Sequence, residues 1–242
     1  MSVKVLIGIP RRESAPSTSF YDCLAALETV PGTCIGKAGR TGVLPGARNR
    51  IVREAREMDA EFVWWLDDDA LFAPDALVKL LAHDVDVVTG LHLKRKPPFA
   101  PYLYDWIDAE SGAHQYWLQR GDHGLRAMPG GGAGMNGLLI RRSVLDAMGD
   151  PWFTFERLPG NNDDYAEDFP FYRRIAEMGV TFHVAFNVRF GHEFRCGLWP
   201  TKNKDGNWET VMADDAPFLG MPAAAPAPGQ IIIPRPERIR AV

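Results

Sequence analysis

The segment Phe62-Val63-Trp64-Trp65-Leu66, followed at once by Asp67-Asp68-Asp69, constrains this chain more than any other. Five bulky apolar residues without polar alternation read as a buried strand. Three carboxylates then emerge together where that strand leaves the core. Side by side they repel, and a divalent cation with oxygen ligands is the usual answer to such crowding. The plain alternative is a solvated acidic turn that caps the next helix.

The surrounding pattern says what kind of sheet this strand joins. Lys4 to Ile9 reads as a short buried strand ending at Pro10, and a helix is predicted around Phe20 to Leu27. After a glycine-rich turn, Gly39 to Gly46, the residues Ala47, Ile51, Val52, Ala55 and Met58 share one helical face. The i,i+4 pairs Arg50/Glu54 and Arg53/Glu57 support that helix. Pro74-Asp75 opens another helix, with Leu77, Leu80 and Leu81 inward, and Asp86 to Leu91 is a strand. Lys94 to Pro101 is basic, aromatic and broken by prolines, which suits an irregular loop, and Trp106 to Trp117 reads as a hairpin around Ser111-Gly112. A strand at Gly137 to Ile140 follows, then helices at Ser143 to Met148 and Phe169 to Met178, each stopped by glycine. Strands at Val180 to Val184 and Asn187 to Phe190 complete the regular structure.

Alternating strands and helices predict an α/β fold with a mostly parallel central sheet flanked by helices. Ligands in such sheets bind at the carboxyl ends of strands, where the aspartates stand. The expected organisation is a single domain over 1–213 and an Ala/Pro-rich tail over 214–242, with Ile231-Ile232-Ile233 able to dock as an edge strand.

At 242 residues, 46% of them apolar, the chain can bury a sizeable core, and a net charge of -4 gives no sign of a general nucleic-acid surface. No stretch approaches the length of a membrane span, and the start lacks the pattern of a signal peptide. Three cysteines with no CxxC pair suggest neither a disulfide framework nor a zinc site, so a reducing cytoplasm is the expected location.

Four further groups are candidates to meet the aspartates. Glu167-Asp168 opens a helix, where a carboxylate is held rigidly and can serve as a general base; the plain reading is a helix cap. His192 follows the last strand and is a candidate third metal ligand; the other histidines show no ligand spacing and read as ordinary. Arg48-Asn49, at a helix start beside glycines, can hold a phosphate or a base edge, or can simply be part of a solvated face. Gly130 to Gly137 contains a literal GxGxxG, but it leads into a strand rather than a helix, so a dinucleotide site is rejected. Such a run lets backbone approach a ligand closely.

Taken together, these pieces resemble the nucleotide-sugar-dependent glycosyltransferases of the GT-A fold, and most of all small phage or bacterial members. The resemblance covers roughly Val3 to Glu193. It is carried by the Ile9-Pro10 strand end, Ala47-Arg48-Asn49, the strand ending in Asp67-Asp68-Asp69, Val88 to Leu91, Leu139 to Val144, and Glu167-Asp168 followed by Arg173-Arg174. It implies a DxD motif at Asp67 and Asp69 that holds Mn2+ or Mg2+ with the donor diphosphate, a metal shell completed by His192, and Asp168 as the base of inverting members, with Glu167 beside it. Donor contacts are expected from Pro10, Arg11, Arg48, Asn49, Asp67 and Asp68. Many members carry a further domain or a membrane anchor; the expectation here is a soluble enzyme that adds one sugar to an acceptor hydroxyl.

The expected donor is a nucleotide-diphosphate sugar, and the acceptor stays open between a glycan, a protein and a hydroxylated base in phage DNA. The basic and aromatic residues Lys94, Arg95, Lys96, Phe99, Tyr102, Tyr104 and Trp106 are candidates to stack on a sugar or base. Two alternatives use the same residues. One is a metal-dependent phosphohydrolase or nucleotidyltransferase built on the Asp cluster, the other a non-catalytic nucleotide-sugar-binding module.

Overall fold

In the computed structural model, all four residues of Phe62–Trp65 are buried, and the apolar run is a strand with helices over both of its faces. The structure describes residues 4–10, 16–37, 43–94, 99–108, 112–157, 165–193, 197–202, 204–213 and 231–233. They fall into two units, Met1–Leu93 with Pro101–Glu193, and Lys94–Ala100 with Phe194–Val242.

The first unit begins with β1 (Val5–Gly8), α1 (Thr18–Ala25), β2 (Cys34–Ile35), α2 (Leu44–Glu57), β3 (Phe62–Trp65), β4 (Ala70–Phe72), α3 (Ala76–Leu81) and β5 (Val87–Leu91). It continues with β6 (Leu103–Asp108), β7 (Gly112–Gln115), β8 (Leu125–Met128), β9 (Gly132–Ala133), β10 (Leu139–Arg141) and α4 (Arg142–Met148). It ends with β11 (Glu156–Arg157), β12 (Tyr165–Ala166), α5 (Asp168–Glu177) and β13 (Phe182–His192). The second unit contains β14 (Gly197–Lys202), β15 (Trp208–Ala213) and β16 (Ile231–Ile233), an antiparallel sheet in that order. Ile231–Ile233 is thus an edge strand beside β15, and regular structure does not stop near Phe190 as the sequence pattern suggested.

The central sheet has the order β2-β1-β3-β10-β5-β13-β4, with β8 also on β13. Among the described residues, β2, β1, β3, β5 and β13 run one way and β10, β4 and β8 the other. The α/β class with a mostly parallel sheet is therefore as expected. Alternation along β3 divides the core. Val63 and Trp65 join Ile51, Val52 and Ala55 of α2, Leu145 of α4 and Phe171 of α5 on one face. Phe62, Trp64 and Leu66 join Phe20 of α1 and Leu77 and Leu80 of α3 on the other.

Two features of this sheet position the site. Antiparallel β10 lies between β3 and β5, so the glycine-rich loop that feeds it sits at the edge where the aspartates leave β3. The opposite end of β10 is pinned by Arg141, whose guanidinium meets Glu61 at 3.0 Å and Asp86 at 3.2 Å. The second feature is β4, three residues that the sequence reading left out. It pairs antiparallel with the end of β13, with Ala70 opposite His192. The two strands expected at Val180 to Phe190 are one, irregular between Ala185 and Arg189, and this length carries His192 to the sheet edge.

Local expectations shifted where tertiary partners intervened. Helix α2 starts at Leu44, ahead of Ala47, because Pro45 is tolerated in a first turn. Arg53 pairs with Asp150 at 2.8 Å and Glu54 accepts from the Lys37 N–H at 2.8 Å, so the α2 charges find partners off the helix. The hairpin expected between Trp106 and Trp117 is β6–β7.

The glycine run packs against this protein's own side chains. A Cβ on Gly134 would lie 2.7 Å from Tyr102 and 2.8 Å from His92, and one on Gly132 would lie 2.7 Å from Tyr172. Gly137 has φ +82°, and a Cβ there would lie 2.5 Å from the Phe190 ring. Its carbonyl accepts from Trp64 Nε1 at 3.2 Å, and its N–H donates to Trp65 O at 2.8 Å. Gly137→Ala is therefore expected to destabilise by about 2–4 kcal/mol through backbone strain and overpacking. Gly179→Ala, with φ +73° and open space around it, should lose only about 1 kcal/mol. Denaturant melts of the two variants check this, and equal losses would contradict it.

Candidate functional site

Asp67 and Asp69 stand in the turn between β3 and β4, closed by Ala70 N–H donating to Asp67 O at 3.1 Å. Two backbone bonds anchor the turn: Ser17 N–H to Asp68 O at 3.2 Å and Glu193 N–H to Asp69 O at 2.8 Å. The second follows from β4–β13 pairing and draws His192 to the aspartates. One donor atom each from Asp67, Asp69 and His192 lies within 4.8 Å of the others, and all three side chains are partly exposed. Two carboxylates and an imidazole on anchored backbone suit a divalent cation. The sequence-predicted metal residues are thus brought together, with His192 supplied from 123 residues beyond Asp69, the difference of the two numbers.

The imidazole is held from both sides. His192 Nδ1 lies 3.0 Å from Leu93 O, and Nε2 lies 3.3 Å from Asn136 Nδ2. Asn136, only 1% exposed, also accepts from the Asp67 N–H at 3.2 Å. The sequence reading passed over Asn136; its signal was a carboxamide inside a glycine run that enters a strand. His92, read there as ordinary, is fully buried with its ring 5.3 Å from that of His192. Burial, reinforced by His192, pushes its pKa down to about 3, so it stays neutral.

Beside this cluster is a second pair of carboxylates. Glu167 is the N-cap of α5 and Asp168 its first residue, buried to 6% exposure. Arg48 on α2 lies between the two clusters, its Nη2 3.5 Å from Glu167 and 3.8 Å from Asp67. The guanidinium is buried against the Trp65 and Phe153 rings, each centroid 5.8 Å away. Its Nε and Nη1 have no hydrogen-bond partner among the described residues. Arg48 is therefore an internal counter-charge for the site rather than part of a solvated face. Asn49 turns the other way: its amide donates to Phe153 O and accepts from Phe153 N–H, both at 2.9 Å. Pro10 is buried just past β1, at the same sheet edge as the aspartates, and Arg11 lies outside the described residues.

Tyr102 and Tyr104, expected on a stacking loop, instead face Asp168. Tyr104 is 6% exposed and packs edge-on against Phe169, with ring centroids 4.8 Å apart. Tyr102 hydrogen-bonds Asp168, and the adjacent carboxylate pushes its own pKa upward. Trp106 remains exposed and is stacked on His114 at 3.8 Å. Lys94 and Phe99 belong to the second unit, and Arg95 and Lys96 lie outside the described residues.

No protein-family model and no curated protein matches the chain. Among solved structures, A197 from STIV is similar with a TM-score of 0.57 and 17% identity, over 91% of this chain and 98% of that one. GalNAc-T7, solved with UDP, GalNAc and Mn2+, overlaps 80% of this chain and 44% of its own, with a TM-score of 0.47 and 11% identity. S. aureus TarS 1-349 in complex with UDP-GlcNAc overlaps 81% of this chain and 60% of its own, with a TM-score of 0.43 and 13% identity. The first likeness shows a shared fold. The other two, below a TM-score of 0.5, decide nothing about chemistry.

Burial, with Glu167 alongside, pushes the Asp168 carboxyl from 3.8 up to about 6, against the opposing pull of Arg48 and the Tyr102 bond. A folded-state pKa above the unfolded one gives stability that is complete below about pH 4 and is lost as pH rises through about 6. Asp168→Asn lacks that loss. Its stability relative to wild type should rise by on the order of 2–3 kcal/mol between about pH 4 and about pH 7.5. Denaturant midpoints at the two pH values measure it, and a pH-independent difference would contradict the buried, shifted carboxyl.

Proposed function

We propose that the chain is a divalent-metal-dependent glycosyltransferase of the GT-A type, transferring one sugar from a nucleotide-diphosphate donor to an acceptor hydroxyl. The observation that carries this reading is one sheet edge holding both a ligand set, Asp67, Asp69 and His192, and a raised-pKa carboxyl, Asp168, with Arg48 between them. A phosphohydrolase built on the Asp cluster alone has no use for the second carboxylate pair.

Of the two expected ions, Mn2+ fits better than Mg2+, because an imidazole nitrogen stands beside the carboxylates. Bound there, the ion would act as a Lewis acid toward the leaving diphosphate. The chain's own residues do the rest. Asp67 and Asp69 present oxygens on anchored backbone, and the buried Arg48 keeps their repulsion with Glu167 in check. Asp168, poised near neutral pH, accepts the proton of the attacking hydroxyl, and Tyr102 holds its carboxyl in place. Glu167, more open to solvent than Asp168, positions the acceptor. Donor contacts from Pro10, Arg11 and Asp68 belong to the same proposal, whereas the Asn49 amide acts through the Phe153 backbone.

Thermal shift with Mn2+ and a panel of nucleotide sugars, alongside a transfer assay, tests it. Asp69→Ala should abolish both Mn2+-dependent nucleotide binding and transfer. Asp168→Asn should keep binding but lower turnover by at least about 100-fold. Wild-type turnover should fall below an apparent pKa of about 6. Transfer that persists in excess chelator, or phosphate release without sugar transfer, would overturn the reading.

A further inference from the structure

We propose that Tyr102 is a catalytic residue, a proton relay whose phenol takes the proton of the attacking hydroxyl as it hands its own to Asp168. This rests on the reading of Asp168 as the base of a sugar-transfer site, and it adds a group between that base and its substrate.

Asp168 is buried, and its Oδ1 already accepts from the Phe169 N–H at 3.0 Å. The Tyr102 phenol bonds the same carboxyl. A carboxylate only accepts, so the phenol is the donor, and its oxygen keeps lone pairs for an incoming O–H. Unlike Asp168, Tyr102 is partly exposed. Its ring lies 5.5 Å from that of His92, which lies 5.3 Å from that of His192. The phenol therefore links the buried carboxyl to the side of the site where the cation ligands stand.

Backbone fixes this placement. The Tyr102 N–H donates to His92 O at 2.9 Å, and its carbonyl accepts from the Gly134 N–H at 3.2 Å. A Cβ on Gly134 would lie 2.7 Å from the Tyr102 ring, so the glycine run leaves the space that the ring fills. A relay needs such fixed geometry, because both of its hydrogen bonds must be in place at once.

The charge of Asp168, reinforced by burial, pushes the Tyr102 pKa upward, so the phenol does not wait as a phenolate. Both protons then move in one step. The O–H bond of the attacking group breaks as a new O–H forms on Tyr102, and the former Tyr102 proton passes to a carboxylate oxygen of Asp168. The attacking oxygen keeps the electron pair that forms the glycosidic bond, and the diphosphate leaves with the pair of the bond it loses. Tyr102 ends as it began, and Asp168 ends neutral.

Single turnovers of a nucleotide sugar selected by thermal shift with Mn2+ test the relay, with water as the attacking hydroxyl. In mixtures of H2O and D2O the wild-type rate should follow a curve in the deuterium fraction, as two protons in flight require. Tyr102→Phe is near-isosteric, and circular dichroism checks its fold. It should be slower by at least about 100-fold, with a residual rate linear in the deuterium fraction. A linear wild-type plot leaves Tyr102 as a positioning residue and overturns the relay, as does a phenylalanine variant within about tenfold of wild type. A wild-type chain that turns over no donor overturns the sugar-transfer reading itself, and the relay with it.

Discussion

Burial of one strand on both faces is the constraint on which the rest depends. With helices above and below, β3 has no position for a polar side chain until its end, so its charges arrive as a block of three. The same alternation assigns its tryptophans different tasks. Trp65 lies against the Arg48 guanidinium on one face, and on the other Trp64 bonds the carbonyl of Gly137 beside Asn136. Packing and site assembly are one event at this strand end.

Charge balance explains why the cluster can be this dense. Asp67, Glu167 and Asp168 converge on one buried arginine whose contacts, at 3.5 and 3.8 Å, are long for ion pairs. A buried guanidinium with two nitrogens unbonded is costly in free energy, and it is tolerated where several anions share it. Burial first, and then the negative charge that one shared cation leaves in excess, raise Asp168, and the same excess leaves Asp67 and Asp69 ready for a further positive charge. The two carboxylate pairs are therefore electrostatically coupled through Arg48.

Much of this was legible in residues. The strand and its aspartates, the helix carrying Arg48, the Glu167-Asp168 helix start and the candidacy of His192 all follow from period, caps and charge. The three-residue β4 was not, because it has no length over which a period can show. Nor was β8, whose Leu125, Arg126 and Ala127 are exposed and which gives the core only Met128. The glycine run was visible but misread: its glycines admit Tyr102, His92, Tyr172 and Phe190, partners far away in the chain. Tyr104 carried no sign of whether its bulge-flanked strand turned it inward or out.

By itself the sequence determined the class of the fold and the chemistry of the separate groups, because hydrophobic period and side-chain type are local properties. Only the tertiary structure decided which groups meet. Antiparallel β10 brings Asn136 to Asp67, the β4–β13 pairing brings His192 to Asp69, and the packing of α2 buries Arg48 between two carboxylate pairs. These are contacts between residues 19 positions apart (Arg48 to Asp67) to 123 positions apart (Asp69 to His192). Backbone pairing and core packing select them, and no local pattern encodes them.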